Sequence, residues 1–293
     1  MIDLIAVGET MLSLVSAGPL WDADVLHVTH GGAESNVCEG AVRLGLRAAW
    51  VGRLGTDPPG DRVAAELAAA GVDLRWVRRD PDRPTGLMVR DTVGELRYDR
   101  AGSAASALSA EDLDDVPVED ARAVFVTGIT ALLGDGPARA AGALLGRATG
   151  LRVVDPNLRP GLWGSARATE LIRPLLESAD LVLGGEQELG VFVDGGSGEA
   201  LAGAIAALGP REVVVRRGPR GAGVLDPRDG WREIEPASVV DVDPVGAGDA
   251  FTAGYLAAHL AGADPEDRLA AGARCGAAVA GSLGDTAGFP SQK

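Results

Sequence analysis

The sequence predicts a doubly wound α/β fold: a mostly parallel sheet flanked by helices, with a small separate β lid. Short apolar, β-branched runs alternate with alanine-rich helical runs from Asp3 to Ser282. Ala123 to Val126 and Arg152 to Val154 are separated by a helical stretch, Pro137 to Thr149, which is the spacing of a βαβ unit and therefore of parallel strands. Two stretches break the rhythm, about 11–29 and about 85–100, with strand-like alternation and few helix signals. They are expected to form the lid of a single domain spanning 1–293.

In chain order, Asp3 to Val7 reads as a first core strand ending at Gly8-Glu9. Gly31-Gly32-Ala33-Glu34-Ser35-Asn36 leads into a helix from Val37 to Leu46, stopped at Gly45. Gly32 lets backbone approach a ligand and Asn36 stands where it can touch one, although an ordinary glycine turn with an asparagine near the N-cap has the same residues. Ala48 to Arg53 is a strand, Gly60 to Ala70 a helix ended by Gly71, and Val72 to Val77 a further strand. Gly86 to Arg90 and Glu95 to Arg100 form a hairpin about Asp91 to Gly94. Tyr98 and Arg100, two apart, share one face, which suits a polar lid or a solvated hairpin.

Asp155-Pro156-Asn157-Leu158-Arg159-Pro160 follows a strand, where open α/β sheets bind ligands. A helix, Ser165 to Ser178, and a strand, Asp180 to Leu183, lead to Gly184-Gly185-Glu186-Gln187-Glu188. Glu188 suits either a metal-bound water or the positive end of a helix. The strand Glu212 to Arg217 runs into Arg216-Arg217-Gly218-Pro219-Arg220-Gly221, which fits nucleotide phosphates or a basic hairpin turn. Alanine-rich helices to Leu260 and from Pro265 to Ser282 should pack on the sheet and end at Gly284-Asp285.

The densest chemistry lies in Asp243-Pro244-Val245-Gly246-Ala247-Gly248-Asp249-Ala250-Phe251, between a β-branched run, Val239 to Val242, and a helical run, Ala250 to Leu260. Gly246, Ala247 and Gly248 have almost no side chain, so their N–H groups can face a small anion at the helix start. Asp249 beside such a cradle is poorly placed to bind phosphate and well placed to take a proton from a hydroxyl attacking it. The same residues would also serve as a plain helix cap. No Walker motif is present, and the dinucleotide pattern fails at Phe251. Lys293 is the only lysine, so internal cationic contacts must come from arginine.

With 293 residues, 46% of them hydrophobic, the chain can bury a large core. A net charge of −15 excludes nucleic acid and anionic membrane as partners, and no apolar run reaches membrane-spanning length. Met1 to Val15 lacks a basic n-region, so a core strand is expected there rather than a signal peptide. Cys38 and Cys275 are far apart and are expected to be buried free thiols in a reducing cytoplasm. His27, His30 and His259 lack metal-motif spacing, and there is no Gly-x-Ser-x-Gly elbow.

Together these residues resemble the ribokinase-like (PfkB-type) carbohydrate kinase family, in Gly31-Gly32, Asn36 and Arg43-Leu44-Gly45 near the start and in Asp243 and Gly246-Ala247-Gly248-Asp249 near the end. The similarity covers nearly the whole chain. It implies a Rossmann-like domain with a β-sheet lid, often paired with a second copy through that lid. Within the family the chain is most similar to 2-keto-3-deoxygluconate kinases, in Thr85-Gly86-Leu87-Met88, Tyr98 to Ser106, Gly128-Ile129-Thr130 and Asp155 to Trp163. Ser13 stands about where fructokinases and ribokinases place an aspartate. The resemblance implies ATP- and Mg²⁺-dependent phosphorylation of that sugar acid at its terminal hydroxyl, with Asp249 as base. Gly32, Asn36, Tyr98, Arg100, Arg159 and Asp285 would touch the sugar acid. Asn157, Arg159, Arg216, Gly218, Gly221, Gly246 and Gly248 would hold ATP, and Glu188 would orient magnesium through water. Use of a monovalent cation is left open. Arg100 and Arg159 can meet a carboxylate through charge-assisted hydrogen bonds in an otherwise acidic protein. Met88 replaces a frequent tyrosine, Gly185 a motif asparagine and Arg216 a frequent lysine. The alternatives are a kinase for another sugar (fructose, ribose, a nucleoside or the galactonate epimer) or a non-catalytic sugar-acid sensor.

Overall fold

The computed structural model describes residues 2–159, 165–194, 196–239 and 241–290. In chain order the strands are β1 (Leu4–Val7), β2 (Met11–Ser16), β3 (His27–Gly31), β4 (Ala48–Val51), β5 (Arg53–Gly55), β6 (Arg78–Asp80), β7 (Leu87–Asp91), β8 (Leu96–Asp99), β9 (Ala123–Thr127), β10 (Leu151–Asp155), β11 (Leu181–Gly185), β12 (Glu212–Arg216), β13 (Ala222–Asp226) and β14 (Gly230–Ile234). The helices are α1 (Ala33–Arg43), α2 (Pro58–Ala69), α3 (Gly128–Leu132), α4 (Asp135–Arg147), α5 (Ala166–Ser178), α6 (Glu186–Leu189), α7 (Gly198–Ala206), α8 (Ala247–Leu260) and α9 (Pro265–Ala280).

The large sheet has the order β14-β13-β12-β11-β10-β9-β1-β4 and is parallel from β12 to β4. Its strands are continuous apolar runs because both faces are covered. Ile5 and Val7 enter one core while Leu4 and Ala6 enter the other, and Val124 and Val126 oppose Ala123 and Phe125 in the same way. Each such leucine, isoleucine, valine or phenylalanine side chain removed from water contributes about 1.5–3 kcal/mol. The chain winds away from β1 in both directions, to β4 on one side and β9 on the other, so the carboxyl ends of β1 and β9 border the crevice where ligands are expected.

The second sheet, in the order β3-β2-β7-β8, is built from the two stretches that broke the α/β rhythm. β2 pairs antiparallel with β3 and parallel with β7, and β7 with β8 closes the expected hairpin.

Two expectations need correction, the strand at Val72 to Val77 and the start of the first helix. Val72 to Val77 forms no strand; only an isolated bridge joins Asp73 to Ala49, and β6 begins at Arg78. The alternation there reflects packing without a ladder, since Leu74 and Val77 lie against one core and Trp76 against the other. The described residues of Val239 to Val242 lie in the loop that precedes α8, where Val242 and Asp243 donate to the carbonyl of Ala280. α1 begins four residues earlier than its apolar run, at Ala33, because Gly32 is its N-cap. β13 and β14 extend the large sheet as an antiparallel meander after β12, so the Arg216 to Gly221 stretch takes the hairpin-turn form that its sequence allowed. Cys38 and Cys275 are buried and unpaired, as expected.

Candidate active site

α8 starts at the glycine-rich stretch. Its N-cap, Gly246, has a left-handed φ of 86°, and a Cβ there would stand 2.2 Å from the carbonyl oxygen of Asp285, so only glycine fits. The N–H of Ala247 is engaged by the carbonyl of Pro244 at 3.3 Å. The first turn of a helix has no internal partners for its N–H groups, and that end of α8 opens on the cleft through Gly246 and Gly248.

Asp249, in that first turn, is only 7% exposed. Asn36 Nδ2 of α1 donates to Oδ2 at 2.8 Å, and Asn157 Nδ2 beyond β10 donates to Oδ1 at 3.4 Å. Asn157 is the one non-glycine with positive φ among the described residues, 45°, a conformation asparagine tolerates; its N–H is held by Asp155 Oδ1 at 2.9 Å. Burial pushes the Asp249 carboxyl up to about 6, against the pull of the Asn36 hydrogen bond and Arg159. Such a group is largely ionised at pH 7 yet basic enough to accept a proton.

Arg216 closes this wall from the end of β12. It pairs with Asp155 at 2.8 Å and approaches Glu188 at 3.6 Å, and its Nη1 donates to the carbonyl of Gly248 at 2.9 Å, which braces the cradle from below. Burial nevertheless holds the Asp155 carboxyl above the usual range, with Glu188 and Asp249 adding to the effect. Glu188 accepts from the N–H of Gly185 at 2.9 Å, so it caps its short helix while still lining the cleft. Arg217 pairs with Glu233 and Arg220 with Glu186, leaving Arg216 as the arginine of this turn that faces the site. Gly218 and Gly221 lie in the turn itself, outside the cleft lining; a Cβ on Gly221 would meet the Ile234 carbonyl at 2.0 Å.

The opposite wall comes from the small sheet. Tyr98 faces Met88 across β7 and β8, and the guanidinium of Arg100 stacks 4.6 Å from the Tyr98 ring centre. Arg100 also donates to Glu9 at 2.8 Å, so much of its charge is already met. Arg159 is exposed at the rim and makes no hydrogen bond or ion pair with a described residue. Gly32 is needed for packing within the chain: a Cβ would stand 2.2 Å from the Glu9 carbonyl, so the space it leaves is filled by the protein's own backbone. The walls enclose a cleft of about 240 Å³, which brings together Gly32, Asn36, Tyr98, Arg100, Asn157, Arg159, Glu188, Arg216, Gly246, Gly248, Asp249 and Asp285.

Three residues of consequence have no signature in the sequence. Arg90, inside β7 and 1% exposed, pairs with Asp243 at 2.8 Å and Asp285 at 2.6 Å. Its only sequence signal is a charge at an inward position of an alternating strand. Glu9 sits buried at the end of the β1 turn, and Glu34, also buried, accepts from Thr127 N–H, Thr127 Oγ1 and Thr130 Oγ1 at 2.7–2.9 Å. Pro160 to Trp163, part of one segment of the resemblance, fall outside the described residues.

A parallel sheet, a separate small sheet and a helix N-terminus between them make a ribokinase-like α/β fold. Residues 1–292 match the pfkB family carbohydrate kinase description. The chain is 32% identical over 304 residues to the 2-dehydro-3-deoxygluconokinase of Thermoproteus tenax, covering 100% of this chain and 93% of that protein. It is 34% identical over 298 residues to the 2-dehydro-3-deoxygalactonokinase of Haloferax volcanii, covering 97% and 93%. The fructokinase of Vibrio cholerae, solved with fructose, ADP and calcium, superposes with a TM-score of 0.87 at 26% identity, covering 99% and 97%. The chain belongs to the pfkB family of carbohydrate kinases.

Proposed function

We propose that the protein transfers the γ-phosphoryl group of ATP to the terminal primary hydroxyl of 2-keto-3-deoxygluconate, the 2-dehydro-3-deoxygluconate of the relatives' names, giving 2-keto-3-deoxy-6-phosphogluconate. The observation that carries this reading is the pairing across one cleft of a buried, asparagine-held carboxylate at a helix N-terminus with arginines facing it. Asp249 accepts the hydroxyl proton as that oxygen bonds to the γ-phosphorus, and the bond from phosphorus to the ADP oxygen breaks. The Gly246 to Gly248 backbone stabilises the charge on the transferring group. Arg159, with Arg100, meets the carboxylate of the sugar acid.

Asn157, Arg159, Arg216 and Gly248 are the residues we assign to ATP, with Gly218 and Gly221 shaping the neighbouring turn. The described residues contain no group of three or more side chains able to cage a metal, and Arg216 already occupies the space between Asp155 and Glu188. Those residues fit a hydrated magnesium ion carried on the ATP phosphates, held by Glu188 through water. Such an ion neutralises phosphate charge. The small sheet acts as a lid that excludes water from the transfer. Its exposed Val25, Val28, Val93 and Leu96 suit pairing with a second copy, which sedimentation would detect. No described helix is long and apolar enough to cross a membrane, and we place the protein in the cytoplasm.

An ADP-release assay across the gluconate and galactonate acids, fructose, ribose and a nucleoside tests the reading. A sugar acid should exceed every neutral sugar in kcat/KM by about tenfold or more, the value of one charge-assisted hydrogen bond; preference for a neutral sugar overturns it. The galactonate epimer is the second reading, favoured by the 34% identity to the Haloferax volcanii enzyme, and the same assay separates the two.

A further inference from the structure

We propose that Arg90 is a positioning residue that ties the phosphoryl cradle to the small sheet, so that the cradle takes its working shape only when that sheet is seated over the cleft. The inference rests on the reading of Asp249 and its glycines as the transfer machinery, and not on which sugar is the acceptor.

Arg90 belongs to the small sheet, yet its partners belong to the loops around the cradle. Its Nη1 lies 2.9 Å from Asp243 Oδ1 and 2.8 Å from Oδ2, and its Nη2 donates to Asp285 Oδ1 at 2.6 Å. Both carboxylates are joined in turn to the cradle. Asp243 accepts from the N–H of Val245 at 3.2 Å and from the N–H of Gly284 at 3.0 Å. The carbonyl of Asp285 lies against Gly246 so closely that a Cβ there would be 2.2 Å away. The guanidinium therefore supports both flanks of the left-handed residue that starts α8.

The same strand carries the cleft wall. Met88, two residues before Arg90 and on the same face, lines the cleft opposite Tyr98. Whatever an acceptor does to the seat of β7, Arg90 feels it. Asp243 is fully buried and Asp285 3% exposed, so water cannot replace a departing guanidinium, and two buried carboxylates without a cation repel each other and lose their hydrogen-bonded geometry. A sugar that stabilises the seated sheet therefore stabilises the cradle by linkage.

The test compares wild type with Arg90→Ala and Arg90→Lys on the panel sugar that is turned over fastest. Sugar affinity is read by calorimetry, turnover by ADP release, and cradle order by hydrogen exchange in the peptide spanning Asp243 to Ala250. In wild type the sugar alone should slow exchange there. In Arg90→Ala, kcat should fall about 100-fold, the usual consequence of misplacing reacting groups by an ångström. Sugar affinity should change by less than about fivefold, the exchange response should vanish, and low guanidinium chloride should restore turnover by about tenfold, as a tethered charge-assisted contact predicts. If Arg90→Ala does not fold, Arg90→Lys, which keeps the charge and loses the fork, should show the same split of lowered kcat and retained affinity. Turnover of either variant within about threefold of wild type, or cradle exchange in wild type that ignores a bound sugar, overturns the proposal. Failure of the transfer reading itself would appear separately, as undiminished turnover in Asp249→Asn.

Discussion

Strands β1, β4 and β9 are buried along their whole length, whereas β8 in the small sheet is exposed along its whole length. The large sheet is set in place by apolar contact on both faces. The small sheet presents Val28, Val93, Leu96 and Tyr98 to solvent, buries Met11, Val15 and Met88, and is further fastened to the rest of the molecule by buried charge. One fastening is Arg90 with Asp243 and Asp285. Another is His30 of β3, which lies 3.1 Å from Glu39 of α1 and 3.3 Å from Glu66 of α2. Apolar burial is non-directional and fixes a frame, while a charge-assisted contact is directional and strong only at short range. The frame carries Asp249, Asn157 and Arg216, the groups to which our proposal gives the phosphoryl transfer. The pinned sheet carries Tyr98, Arg100 and Met88, which line the cleft and on our proposal would face the acceptor.

The sharpest way to break this division is on the frame. Asp249→Asn should lower kcat about 1,000-fold, within the usual range for losing a general base, while calorimetry still detects ATP. Because burial raises the Asp249 carboxyl to about 6, its ionisation opposes folding above that pH. That cost builds as pH rises from 3.8 to about 6 and is complete above it, so the same substitution should raise Tm by a few degrees at pH 8 and by about half as much at pH 5. At the rim of the cleft, in the loop after β10, Arg159→Gln should lower kcat/KM for the sugar acid about 10- to 100-fold, the value of a charged hydrogen bond, and leave a neutral sugar nearly unaffected. Equal losses on both would contradict a carboxylate contact.

A pH profile tests the frame without substitution. Asp249 must be ionised to accept a proton, so kcat/KM should fall about tenfold per unit below pH 6 and level off above it. The fastening at His30 behaves in the opposite sense. Burial lowers its pKa, but Glu39 and Glu66 outweigh burial and raise it to about 9. Its stabilisation is complete below pH 6.5 and is lost as pH climbs through 9, a span worth about 3 kcal/mol by linkage. His30→Gln should remove that slope from the pH dependence of Tm and leave the ionisation seen in kcat/KM unchanged. The smallest effect is expected at Tyr98→Phe, which keeps the ring under Arg100 and removes one hydroxyl: KM should rise about fivefold, with kcat preserved.

Much of the architecture was legible in the chain, because apolar periodicity and glycine placement are local properties. The continuous runs of β1, β9 and β10 announced a sheet buried on both faces, and the alternating stretches near Met11 and Thr85 announced strands of a different kind. Gly246 and Gly248 beside Asp249 marked the start of α8 as a candidate anion cradle, and the left-handed backbone of Gly246 is one that few other residues permit. The run Val72 to Val77 misled for the converse reason: its alternation satisfies packing, and a ladder also needs a neighbouring edge with which to pair.

What the chain by itself determined is thus the frame, the small sheet and the cradle. Only the tertiary structure decided who partners whom. Asn36 and Asp249 are 213 positions apart, Arg90 and Asp243 are 153 apart, Glu34 and Thr130 are 96 apart, and Arg100 and Glu9 are 91 apart. A buried charge must find a partner, but its identity depends on which side chains the topology brings within about 3 Å, a length that no periodicity along the chain encodes.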